Sequence, residues 1–111
     1  MRFLMTTLAG VAAPDDKLEA EMGALIEEMV RTGVLLATGG LEPGLHVSSS
    51  GGQITVTDGP FTEAKESIVS FALIEARSTE EAVELSRRFF KIVGDGQGRI
   101  QQVHGPDLDP R

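Results

Sequence analysis

Two stretches of this chain repeat their apolar residues at helical steps, and each sits between two short β-like runs. In the first, Leu18, Met22, Leu25, Ile26, Met29 and Val30 recur every three or four residues. In the second, Ala82, Leu85, Ser86, Phe89 and Val93 do the same. Such spacing puts the apolar groups on one stripe of a helix, which must be buried against something. The flanking runs supply the surface: residues 2–9 and 34–38 around the first helix, 67–75 and 99–104 around the second. Both helix starts are marked. Asp15 or Asp16 after Pro14 serves as N-cap, and Ser78-Thr79-Glu80-Glu81 has the pattern of a capping box. Gly33 suits the first residue beyond the first helix, and Gly94-Asp95-Gly96-Gln97-Gly98 closes the second.

Between the two β-α-β halves lies a hairpin. Leu45–Ser50 and Gln53–Asp58 flank Gly51-Gly52, a two-residue turn of the favoured kind. Without it, the order is that of a ferredoxin-like α+β fold, an antiparallel sheet with two helices on one face. The run 67–75 adds a further constraint. Val69, Phe71 and Leu73 on one side and Ile68, Ala72 and Ile74 on the other are all apolar, whereas a strand with one wet face should alternate. Residues 2–9 behave similarly, with Phe3 and Met5 on one side and Leu4 and Leu8 on the other. Two helices cover one face only. The second face is expected to pack on a second copy in a twofold homodimer. Cover by the hairpin and tail of the same chain is the other solution.

A length of 111 residues suits one domain over 1–111. The chain has no cysteine, so neither a disulfide nor a thiol nucleophile is available. A net charge of -7 argues against nucleic acid and anionic lipid, which need a basic face. The first residues hold too short an apolar run for a signal peptide, and no later run is long enough to span a membrane, so a cytoplasmic location is expected. No spacing resembles a zinc or calcium site. The glycines of 94–98 follow a helix and precede a strand, the reverse of a phosphate-binding loop.

The densest polar chemistry is Val56-Thr57-Asp58-Gly59-Pro60-Phe61-Thr62-Glu63-Ala64-Lys65-Glu66. With the register that Gly51-Gly52 imposes, Leu45 opposes Asp58, His46 opposes Thr57 and Val47 opposes Val56. Asp58 then ends a face carrying Leu45, Val47, Ile54 and Val56, while His46 belongs to the polar face. A carboxylate at the edge of an apolar surface is partly desolvated, which suits it to general acid or base work. It could equally accept backbone amides beyond Pro60 and build the turn. Phe61 is an anchor for that turn or one wall of a ligand site. Lys65 and Glu66 are solvated charges or, turned inward, an anion anchor and an orienting group beside Asp58. His46 and His104, the two imidazoles, have no fixed separation. Arg87 and Arg88 belong to the outer face of the second helix.

Three segments together resemble the DGPF-type members of the YCII-related proteins. They are Gly33-Val34-Leu35-Leu36-Ala37 with the loop ending in Leu41-Glu42-Pro43, then Val56–Glu66, then Ser78-Thr79-Glu80-Glu81-Ala82. The resemblance implies a dimeric α+β barrel, in which two sheets pack together, and a pocket near the dimer interface lined partly by the signature. Founding members carry a first-helix histidine that pairs with an aspartate. Its expected place here is near Met22, and this helix has no histidine, so of that dyad only Asp58 carries over. The resemblance also implies a setting beside extracytoplasmic-function sigma factors. Two functions follow as expectations. One is a cofactor-independent enzyme acting on a small organic acid, with Asp58 as acid/base, Lys65 as anion anchor, Glu66 as orienting group and Phe61 as wall. The other is a non-enzymatic ligand-binding or regulatory module working with such a sigma factor.

Overall fold

The computed structural model describes residues 1–11, 13–58 and 67–105. The elements run β1 (Arg2–Leu8), α1 (Asp16–Arg31), β2 (Leu35–Gly40), β3 (Leu45–Ser50), β4 (Gln53–Asp58), β5 (Ile68–Glu75), α2 (Thr79–Val93) and β6 (Gly98–Val103). Four strands form one antiparallel sheet in the order β2-β5-β1-β6, and β3 and β4 form a separate two-stranded ribbon. With the ribbon set aside, the two β-α-β halves interleave as the sequence predicts, and the fold is ferredoxin-like α+β.

The helix ends follow the local chemistry. Asp15 caps α1 by accepting the Leu18 N–H at 2.8 Å. Beyond Thr32, the Gly33 N–H donates to the Val30 carbonyl and the Val34 N–H to the Met29 carbonyl, the double closure of a Schellman motif. Ser78 caps α2 through the Glu81 N–H at 3.1 Å. The return bond of the box goes elsewhere: the Glu81 carboxylate takes the Arg77 N–H and its guanidinium.

β2 is longer than its sequence suggests. It continues through Gly39 and Gly40, which pair with Phe71 and Ser70. A glycine pair usually signals a loop, but here two strand partners hold it in the ladder, so the tertiary pairing overrides the local preference.

The core lies between the sheet and the helices. Phe3, Ile74, Ala76 and Ala82 are buried there, with Met5, Leu35, Ala72, Leu85 and Ile100 packed around them. Register therefore assigns Phe3, Met5 and Thr7 to the helix side and Leu4 and Thr6 to the outer side of β1. On β5, Val69, Phe71 and Leu73 turn outward and are only half-buried. The ribbon does not cover them, since every residue from 41 to 58 is exposed. The Thr6 hydroxyl, at the centre of this outer face, is buried without a hydrogen-bond partner.

Candidate functional site

Three rows of residues cross the helix side of the sheet. The first, Leu35–Ile74–Phe3–Gln102, carries bulk and is closed by Ala82 of α2. The second is Thr38–Ala72–Met5–Ile100. The third is Gly40–Ser70–Thr7–Gly98, with glycine on both edge strands and two small hydroxyl residues between them. Side-chain volume thus falls along the sheet, and packing at interior density cannot be kept up over the third row. A cleft of about 310 Å³ opens there between the sheet and the two helices. That is the lower end of the range of ligand sites.

Each helix gives the cleft one face. Met22, Leu25, Ile26 and Met29 come from α1, and Leu85, Ser86, Phe89 and Phe90 from α2. Phe89 and Phe90 meet edge to face, with ring centroids 5.1 Å apart. A side chain at position 98 is excluded, because a Cβ there would lie 2.5 Å from the Thr6 carbonyl oxygen and 3.4 Å from Phe90. The helices are tied together on the outside, where Arg88 donates two hydrogen bonds of 2.7 and 2.8 Å to the Glu28 carboxylate. That contact holds the Glu28 carboxyl below its ordinary value of 4.5.

The walls are apolar, with a few hydroxyls and one charged residue, Arg99. Thr38 donates to the Phe71 carbonyl at 2.8 Å. The hydroxyls of Thr7, Ser70 and Ser86 make no hydrogen bond among the described residues and remain open to a guest. No carboxylate or imidazole is among the described residues that line the cleft. By themselves these walls can bind and orient a molecule and exclude water from it; proton transfer needs a further group. No cluster of three His, Asp or Glu suited to a metal occurs among the described residues.

The four site residues singled out in the sequence fall as follows. Asp58 ends β4 opposite Leu45, in the expected register, and is exposed. It does not line the cleft. Phe61, Lys65 and Glu66 lie outside the described residues. Their chain nevertheless returns to the sheet at Ser67, whose carbonyl accepts the Ala9 N–H at 2.9 Å. Ser67 is three residues from Ser70, at the end of the sheet where the cleft opens. Met22, where the resemblance places a histidine, is in the cleft wall. Periodicity assigns the Met and Leu stripe of α1 to the core, and Leu25 and Met29 are indeed buried, while the same stripe also lines the cleft. What signals the cleft is the coincidence of small residues at 7, 40, 70 and 98, legible only when the strand order is known.

The chain matches the YCII-related domain over residues 1–90. An uncharacterised protein of Rhizobium meliloti (strain 1021) is 32% identical over 76 residues, which cover 66% of this chain and 61% of that protein. The match thus spans less than two thirds of that relative's own length. Among solved structures, the chain is similar to a 5-chloro-2-hydroxyhydroquinone dehydrochlorinase from Burkholderia phenoliruptrix AC1100 in complex with 2,5-dihydroxybenzoquinone. That likeness has 17% sequence identity and a TM-score of 0.48, over 98% of this chain and all of the other. No described helix is long and apolar enough to cross a membrane.

Proposed function

Starting from a chain that belongs to the YCII-related family, we propose that it binds a small organic acid in the cleft between its helices and sheet and acts on it without a cofactor. The observation that carries the reading is the cleft itself, apolar walls with three open hydroxyls, at the end of the sheet where Ser67 leads into β5. The apolar body of the acid sits among Met22, Phe89 and Phe90, and Ser70, Thr7 and Ser86 hydrogen-bond its polar atoms. The described walls carry Arg99 but no carboxylate or imidazole, so the acid/base must come from the mouth. Asp58 takes that role, Lys65 pairs with the carboxylate of the guest, Glu66 orients it and Phe61 closes the wall. The protein works as a homodimer through the outer sheet face, where Leu4, Val69, Phe71 and Leu73 stay half-exposed in one chain.

A thermal-shift screen of small carboxylic acids with apolar bodies tests this on the wild type, Met22→Trp and Asp58→Asn. The indole fills the cleft, so acids that raise the wild-type Tm should leave Met22→Trp unmoved. Asp58→Asn should keep part of the shift and lose turnover. A Met22→Trp protein that melts cooperatively and still shows the full shift would place the ligand elsewhere.

A further inference from the structure

Every residue of the β3–β4 ribbon is exposed, so it does not cover the sheet of its own chain. Leu45, Val47, Ile54 and Val56 share one face, each 57–65% exposed. Four exposed aliphatic side chains gathered on one face, rather than scattered singly, mark an interaction surface. Two strands alone are marginal in water and need a surface to pack on. Charge is as telling. In a chain that is 24% charged, the ribbon carries one formal charge, Asp58, at its base. Depletion of charge around an aliphatic centre is the composition of an interface core.

The dimensions agree. The radius of gyration is 16.2 Å, against about 13 Å for a compact chain of this length. The accessible surface is 8030 Å², whereas a compact monomer of this mass exposes about 5,900 Å².

From these observations we infer that the ribbon is an arm that docks on the outer sheet face of a second copy of this chain, its Leu45/Val47/Ile54/Val56 face lying over the Leu4, Val69, Phe71 and Leu73 surface. The inference rests on the dimer proposed above and specifies what holds it. Three observations choose a second copy over a different protein. The chain itself bears the matching uncovered apolar face. A twofold axis uses both surfaces twice. Chains of net charge -7 repel, so a self-contact must use uncharged surface, and the ribbon is that surface.

Light scattering on a sizing column at micromolar concentration should give twice 11.8 kDa for the wild type. Val47→Asp with Ile54→Asp would bury two charges in the contact and should weaken association at least about a hundredfold. Its far-UV circular dichroism should be retained, since no arm residue belongs to the core. A second measurement does not depend on that variant. Because the chain has no cysteine, Val47→Cys can be labelled singly with a benzophenone maleimide and mixed with an isotope-labelled copy. Cross-links should join the arm to β1 or β5 peptides of the labelled copy. A monomeric wild type, an undiminished dimer in the double variant, or cross-links confined to the arm's own chain would each overturn the inference. The ligand screen is independent of these outcomes, because the described cleft walls come from a single chain.

Discussion

Thr6 marks a tension at the residue scale. A buried hydroxyl without a partner forfeits its hydration and regains nothing, a cost of about 1–3 kcal/mol. Thr6→Val keeps the shape and removes the oxygen, so it should raise stability by about 1 kcal/mol, read as a higher denaturant midpoint with unchanged slope. A loss of stability instead would mean that the hydroxyl finds a partner in the assembled protein. Asp58 shows a different residue-scale lesson. Its register and its neighbours follow from the turn: Gly51 and Gly52 both take positive φ, at 55° and 82°, as a tight hairpin turn requires. Its solvation does not follow from them. The residue ends an apolar face, but in one chain that face meets water.

Among the elements, α1 and α2 are held at their outer edge by the Glu28–Arg88 fork rather than by a continuous packed seam. Arg88 first, and Arg31 more weakly, favour the ionised Glu28 carboxylate, so its folded pKa lies below 4.5. The sign of the linkage follows. The contribution is full above the unfolded value and is lost as pH falls through the folded one. Acid melts should therefore show the wild type losing stability relative to Glu28→Gln below about pH 4.5, and added salt should shrink the difference, because the pair is exposed. Equal pH profiles for the two proteins would remove the fork from the account of how the helices are held. β2 carries the complementary lesson. Its glycines read as a loop in isolation, and pairing with β5 makes them the edge of the cleft.

At the scale of the molecule, a four-stranded sheet with helices on one side leaves a half-dry outer face and an uncovered apolar arm. Surface of that kind ties stability to concentration when copies associate. The melting temperature of the wild type should therefore rise as protein concentration increases from the low micromolar range, whereas the Val47→Asp, Ile54→Asp protein should melt at one temperature throughout. A wild-type melting temperature independent of concentration would count against association through these surfaces.

Much of this protein was decided locally. Helical periodicity in two segments, Asp15 and Ser78 as caps, and a Gly-Gly turn set the element order and the ribbon register, because each depends on residues only a few positions apart. Apolar residues on both faces of 67–75 likewise make an apolar outer sheet face legible in the sequence. The cleft was different. It exists because Gly40, Ser70, Thr7 and Gly98, distant in the chain, become one row across four strands, and volume adds up only among neighbours in space. The same holds for Met22, which periodicity assigns to a core and the third row leaves facing open volume. Strand order, and with it the place where the interior is left unfilled, is a property of long-range pairing, and the tertiary structure alone decides it.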